Sequence, residues 1–275
     1  MPLPSSGTIS LNQIHVEAGG SSGTQASLND SDIRDMIGKG SGASNSFSEY
    51  HGVSASQPSI SYRGRASTTS NGFPNGWISL SSGTKVVVVC LQLAGGPPSY
   101  GNTYVNLGGT GMTLAARMDA ATNVTGVWGA RYTSAIYYLT SSASGSTYIT
   151  GNGGSGRSSL TVYEITGYNS ATPYVTGTAQ QTNADLSASI TVNNQYNGMT
   201  IGSVISEDSF SATGITVTNA DDIQQQHMES ASSHTSWYDS ATPSGNRTYT
   251  ITQTSPGNNV ISGSTLFQIT AAAWK

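Results

Sequence analysis

The feature that most constrains this chain is a dense apolar run at residues 86–93, VVVVCLQL. β-Branched side chains lose rotamer freedom in a helix and pack well on a pleated surface, so the run predicts a strand. Because apolar residues do not alternate with polar ones, we expect both faces of the strand to be covered. The run is far shorter than the roughly 18 to 20 apolar residues of a membrane-spanning helix, and no membrane insertion is expected.

The rest of residues 59–275 predicts many further short strands, separated by turns rich in glycine and asparagine. Apolar and polar residues alternate with a period of two in residues 160–165 (LTVYEI) and 186–192 (LSASITV). This period is typical of strands with one face in a core and one in solvent. The sequence therefore predicts a mainly β fold, an antiparallel, jelly-roll-like β-sandwich over residues 59–275.

Residues 1–52 differ because they concentrate helix start and stop signals. Capping patterns predict three short helices, which begin at Ser10, at Asn29 and at Ser46. Helices this short are unstable alone, so they must pack on something. We interpret residues 1–52 as a docking module and residues 53–58 as a linker; a small helical cap on the β domain is the alternative. The apolar residues expected to make the docking contact are Ile9, Leu11, Ile14, Leu28, Ile33, Met36, Phe47 and Tyr50.

Charge is scarce in this sequence. Charged residues make up 9% of the chain, against about a quarter in a typical protein, and the formal net charge is −4. Basic residues do not cluster beyond Arg63-Gly-Arg65, so nucleic acid is not an expected partner. Serine and threonine fill the outward positions of the predicted strands. Such a surface can pack against copies of itself without burying charge, which favours a homo-oligomer over a mere habit of composition.

The sequence predicts no catalytic, metal or cofactor site. Residues 151–156 match G-x-G-x-x-G, but a strand follows them where a phosphate site needs a helix. His227 and His234 lie near several carboxylates without the spacing of metal ligands. The acidic pair Glu207-Asp208 has no further calcium ligand nearby in sequence. Cys90 is the single cysteine, which we expect to be buried.

Aromatic residues near predicted turns and strand ends are candidates for surface recognition. Such rings stack on sugars or anchor partner proteins, although packing in the core is their commoner role. The candidates are Tyr132, Tyr168, Tyr196, Trp237 and Tyr238.

Three segments in the first fifth of the chain carry a resemblance to a known family. Residues 3–14 (LPSSGTISLNQI), 27–34 (SLNDSDIR) and 46–52 (SFSEYHG) together resemble an N-terminal module of tailed-bacteriophage virion structural proteins, especially those of marine and cyanobacterial phages. More loosely, residues 85–93 and 199–202, with Gly126-Val127-Trp128, resemble the glycine-, serine- and threonine-rich β-sandwich segments of such proteins.

The resemblance implies a place in the virion more than an activity, and it carries over no catalytic residues. It implies a tail fibre or tail-tip appendage subunit on the particle surface, attached to other virion proteins through residues 1–52. A trimer is the expected assembly, and a host-surface glycan is a candidate partner. No coiled-coil or collagen-like repeat is present, which favours a compact subunit. The alternatives are a capsid decoration protein, a depolymerase or carbohydrate-binding module, and a secreted adhesin.

Overall fold

A computed structural model divides the chain into two compact units, Met1–Gln57 and Pro58–Lys275. The structure describes residues 3–37, 39–40, 42–52, 58–68, 73–95, 103–121, 131–152, 157–183, 187–195, 198–207, 214–228, 232–242, 245–254 and 265–275.

The first unit contains helices α1 (Leu11–Glu17) and α2 (Ser31–Asp35) and a 3₁₀ helix, Phe47–Tyr50. The predicted capping box of α1 is present: the Ser10 backbone N–H donates to Gln13 Oε1 at 2.8 Å, and the Gln13 N–H donates to Ser10 Oγ at 3.2 Å. None of the described helices has the length and apolar character of a membrane span.

Two helix predictions need correction. Helix α2 starts one residue later than predicted, with Asp30 at the N-cap. The Asn29 side chain instead accepts a hydrogen bond from the Arg34 guanidinium at 2.6 Å and does not cap the helix. The third helix keeps its predicted capping box but is a single 3₁₀ turn, closed by the Glu49 N–H donating to the Ser46 carbonyl. A length of four residues is usual for a 3₁₀ helix.

The second unit is built from strands. Their bounds are β1 Ser59–Thr68, β2 Asn75–Leu80, β3 Lys85–Gly95, β4 Tyr104–Leu107, β5 Thr110–Gly111, β6 Thr113–Ala121, β7 Arg131–Ser141, β8 Gly145–Asn152, β9 Arg157–Thr166, β10 Val175–Asn183, β11 Ser187–Asn194, β12 Gly198–Glu207, β13 Gly214–Val217, β14 Asp222–Met228, β15 Ser232–Thr242, β16 Gly245–Thr254 and β17 Thr265–Trp274.

The described strands form four antiparallel sheets. Sheet A has the order β1-β9-β3-β7-β6, and sheet B has the order β2-β8-β4-β5. Sheet C has the order β10-β17-β12-β15-β14, and sheet D has the order β11-β16-β13. One apolar core joins A to B and a second joins C to D, so the unit contains two sandwiches.

The two sandwiches have the same strand order. When the two-residue strand β5 is set aside, each sandwich has eight described strands, and the larger sheet has the order 1-8-3-6-5 in both. The smaller sheet has the order 2-7-4 in both. The pairs 1–8, 2–7 and 3–6 are those of a jelly roll. The predicted antiparallel β-sandwich fold is confirmed, but residues 58–275 form two stacked sandwiches where one was expected.

The stacking explains the unbroken apolar run of β3. Val87, Val89 and Leu91 face sheet B, whereas Val86, Val88 and Cys90 face sheet C in a third core. Sheets A and C therefore lie inside, with sheets B and D outside. By contrast, β11 in sheet D alternates buried and exposed residues because only one of its faces is covered.

Candidate functional site

Three exposed aromatic side chains share the outer face of sheet B. In β2, Ile78 and Leu80 point into the core, so Trp77, the residue before Ile78, points outward. The strand register places Tyr148 of β8 directly opposite Trp77. Tyr104 of β4 lies opposite Asn152, which has the same parity along β8 as Tyr148. The alternation of both strands therefore positions the three rings on one face.

Two of these rings contact each other. The centroids of Trp77 and Tyr148 are 5.2 Å apart, with ring planes at 59°. Trp77 is 70% exposed, Tyr148 is 40% exposed and Tyr104 is 45% exposed. Tyr104 is displaced from Tyr148 by the equivalent of four residues along β8, or about 13 Å. The cross-strand contact holds the first two rings in place.

Neutral polar side chains lie between the rings. Thr150 follows Tyr148 by two residues on β8, with Asn75 of β2 opposite it on one side and Asn106 of β4 on the other. The four strands of sheet B contain no charged residue. We call this surface the aromatic face; its residues are Asn75, Trp77, Tyr104, Asn106, Tyr148 and Thr150.

The second sandwich has hydroxyl pairs where the first has its aromatic pair. Two of the outward pairs between β11 and β16, the strands equivalent to β2 and β8, are Ser189 with Thr250 and Thr191 with Thr248. Their hydroxyl oxygens are 3.0 Å and 2.8 Å apart. The same fold is thus built without aromatic side chains at this position.

Most of the aromatic residues predicted for recognition are not on an exposed surface. Trp237 is fully buried between sheets C and D, and Tyr132 is buried beside Ala94 and Ile205, so the prediction of exposure is wrong for both. Tyr168 and Tyr238 are half-buried against the core between sheets A and C. Tyr196 lies outside the described residues.

The residues predicted for docking pack on one another. Ile9, Ile14, Ile33 and Tyr50 are buried in one cluster with Leu3 and Ala18. Leu11, Leu28 and Met36 pack against this cluster and are half-buried. Phe47 differs because 41% of it is exposed. Seven of the eight predicted residues therefore serve the core of the first unit, and Phe47 alone of the eight is exposed; Val16 of α1, which was not among the eight, is also exposed.

Polar side chains close the loops around this core. The buried Arg34 donates from one nitrogen to the carbonyls of Gly40 at 2.8 Å and Ala43 at 2.6 Å. Lys39 forms a hydrogen-bonded ion pair with Glu49. The hydrogen bond from Lys39 is the largest cause of the lowered pKa of Glu49. The Gly52 N–H donates to the Pro4 carbonyl at 3.0 Å, which brings the two ends of the unit together.

A buried polar layer fills one end of the space between sheets A and C. His234 Nδ1 lies 2.8 Å from Ser159 Oγ, and His234 Nε2 lies 3.1 Å from Ser232 Oγ. Ser159 also donates to Gln92 Oε1 at 2.8 Å, and Gln92 donates to Ser203 Oγ at 2.8 Å. All of these residues are buried, so the layer joins the two sandwiches.

The imidazole in this layer is held neutral. Burial, and to a lesser extent the nearby cations Arg65 and Arg157, lower the pKa of His234 to about 3. The side chain of His227 and the pair Glu207-Asp208 fall outside the described side chains, as do residues 153–156 of the glycine-rich motif. Within the described residues, no group of three or more histidine, cysteine or acidic side chains is placed to hold a metal ion.

Sequence reasoning missed the aromatic face. The alternation in residues 75–80 signals that Trp77 lies on the opposite side from Ile78 and Leu80. It does not signal which strands are neighbours, because β2 and β8 are separated by more than sixty residues. No protein-family model, curated protein or solved structure matches the chain.

Proposed function

We propose that the chain is a structural subunit of a bacteriophage particle, a tail-tip or fibre-like appendage that attaches through residues 1–52. One observation carries the proposal. The three segments that resemble the phage module supply Leu3, Ile9, Ile14, Ile33 and Tyr50, all but one of the buried apolar residues in the core of the first unit. The resembling segments are therefore also the ones that pack together.

The surface chemistry also supports an assembled protein. The outer face of sheet D carries pairs of serine and threonine hydroxyls. An ion buried without a partner in a subunit interface costs several kcal/mol, and a contact through this face avoids that cost. The proposal includes a homo-oligomer, with a trimer as the expected state, attached to other virion proteins.

Phe47 is the proposed attachment point of the first unit. It lies in the third resembling segment, and it remains exposed although the other predicted docking residues are buried or half-buried. Phe47 begins the 3₁₀ helix whose capping box is made by Ser46 and Glu49. These polar contacts do not use the phenyl ring, so Phe47→Ser leaves them in place.

The test adds the purified full-length protein to phage particles assembled without it and measures co-sedimentation with the particles. We expect the wild-type chain to bind at a fixed number of copies per particle, and Phe47→Ser to weaken that binding about tenfold or more because an apolar anchor is lost. Leu114→Ser is the matched control, since it removes an exposed apolar side chain from the second unit.

Two results would overturn the proposal. Absence of co-sedimentation of the folded wild-type protein would refute a place in the particle, and unchanged binding of Phe47→Ser would refute this attachment point. Immunogold electron microscopy of the decorated particles separates the two locations: label at the tail supports an appendage, whereas label spread over the head identifies a capsid decoration protein.

A further inference from the structure

The fold does not require the aromatic face, because the second sandwich has the same strand order without aromatic side chains on the outer side of the equivalent strands. Trp77 and Tyr148 occupy an outward cross-strand pair, and the equivalent strands of the second sandwich use Ser189 with Thr250 and Thr191 with Thr248. An exposed tryptophan next to a tyrosine leaves apolar surface in contact with water, which a pair of hydroxyl side chains does not. The comparison within one chain therefore indicates that the rings are there to bind something.

The chemistry of the face identifies the class of ligand. Aromatic faces attract the weakly positive C–H groups of a sugar ring, and their flat area matches that ring. Asn75, Asn106 and Thr150 provide neutral donors and acceptors beside the rings. The strands of the face contain no charged residue, and Arg117, which donates to Thr103 beside Tyr104, is paired with Asp119. The face therefore carries no unbalanced charge that would favour an anion or a cation. A neutral polyhydroxylated ligand fits all three properties.

The size of the face argues against a second copy of the chain as the occupant. The exposed parts of the three rings amount to roughly 350 Å². A stable protein interface needs about 800 Å² from each partner. The distance of about 13 Å between Tyr104 and the level of Tyr148 along the strands suits an extended chain of linked sugars.

We propose that the aromatic face of sheet B binds a neutral oligosaccharide, with a sugar ring stacked on Trp77 and Tyr148 and a further sugar reaching Tyr104. The inference deepens the proposed function, because it names the ligand class for the outward part of the appendage. Its test uses the purified full-length protein without particles, so its outcome is separate from that of the attachment experiment.

The decisive variant gives sheet B an outward hydroxyl pair of the kind that the second sandwich has. Trp77→Thr combined with Tyr148→Thr replaces the aromatic pair by the threonine pair that Thr191 and Thr248 already form in the same fold. Leu114→Ser again serves as the control, because it removes exposed apolar area from sheet A. Circular dichroism establishes that each variant keeps the wild-type content of strands.

The assay measures retardation in native gels that contain neutral polysaccharides, one type to each gel: glucans, galactans, mannans and xylans. We expect at least one to retard the wild-type protein and the control equally. The double variant should show a dissociation constant raised about tenfold or more, and Tyr104→Thr should raise it less. Binding should persist from low salt to about 0.5 M salt, because no ion pair is formed.

Four outcomes overturn the inference. They are the absence of retardation of the wild-type protein by any of the neutral polysaccharides, equal binding by the double variant, binding that high salt abolishes, and wild-type self-association that the double variant removes. The last identifies the face as a contact between copies. If the double variant fails to fold, Trp77→Ser alone replaces it, and unchanged binding by that variant has the same meaning.

Discussion

At the scale of single residues, His234 illustrates how a polar side chain is used inside this protein. Its two ring nitrogens lie within hydrogen-bonding distance of Ser159 and Ser232, so the neutral ring is satisfied where it is buried. A proton on the ring would add a buried charge near two arginines. The residue therefore joins sheets A and C only while it is neutral.

His234 predicts a loss of stability in acid. Its pKa is about 3 in the folded protein and 6.5 in the unfolded chain, so the unfolded chain takes up the proton first as the pH falls. The stability that neutral His234 gives is fully present above about pH 6.5 and decreases toward pH 3, by up to about 1.4 kcal/mol per pH unit. Urea unfolding at a series of pH values measures this slope.

His234→Gln isolates the contribution of this residue. Other titrating groups, such as Asp239 with its raised pKa, are common to both proteins and cancel in the comparison. Between about pH 6.5 and pH 4.5, the free energy of unfolding should fall by roughly 2 kcal/mol more in the wild type than in the variant. Parallel pH profiles for the two proteins would show that His234 is protonated in the folded state.

At the scale of elements, strand β12 shows how small residues make room for a large one. Gly202 pairs with Trp237 of β15 on one side and with Ala271 of β17 on the other. A Cβ atom at Gly202 would lie 1.9 Å from Cζ2 of the buried Trp237 ring. The indole lies over the glycine, and the core between sheets C and D depends on that space.

Gly202→Ala is therefore expected to destabilise the protein severely. The ring of Trp237 must shift within a closed core, which should lower the free energy of unfolding by about 3 kcal/mol. Gly177→Ala in β10 is the matched control, because its nearest side-chain atom, Ile190 Cδ1, would lie at an ordinary distance of 3.4 Å. It should change the free energy by less than about 1 kcal/mol. Thermal and urea unfolding test both, and similar stabilities of the two variants would contradict the assigned packing.

At the scale of the whole molecule, the second unit is a stack of four sheets whose middle layer joins the two sandwiches. Val86, Val88 and Ile136 of sheet A meet Ile201 and Trp274 of sheet C there. The same layer continues into the hydrogen-bonded residues around His234. Both inner sheets lose a buried face if the sandwiches separate, so we expect them to unfold together.

The rate at which the single cysteine reacts with thiol reagents measures whether the two sandwiches separate. The buried Cys90 thiol lies between the inner sheets and donates to the Gly202 carbonyl at 3.7 Å, and burial raises its pKa. Thiol reagents should react with it only as fast as the unit unfolds, since only the exposed thiolate is nucleophilic. The rate of labelling should therefore equal the rate of loss of the β signal in circular dichroism.

Protein unfolded in denaturant supplies the reference rate for an accessible thiol. Trp274→Ala, which removes a buried ring from the same layer, should speed labelling and the loss of the β signal by the same factor. Labelling that outpaces the loss of strand structure would mean that the sandwiches part without unfolding.

Much of this architecture was determined by the sequence alone. The apolar run determined that both faces of β3 are covered, and the alternation determined that one face of β11 is covered. Both follow because side chains on a strand alternate between its two sides. The capping boxes at Ser10 and Ser46 fixed where two helices begin, since their hydrogen bonds span only three residues.

Tertiary structure decided what depends on contacts between distant residues. The two sandwiches share a strand order, but no repeated motif marks it. Equivalent strands carry unlike outward pairs, such as the aromatic pair of Trp77 with Tyr148 and the hydroxyl pairs between β11 and β16. The burial of Trp237 and the exposure of Trp77 follow from which sheets cover which faces. Local sequence fixes the alternation of a strand, whereas only the assembled sheets decide which side meets solvent.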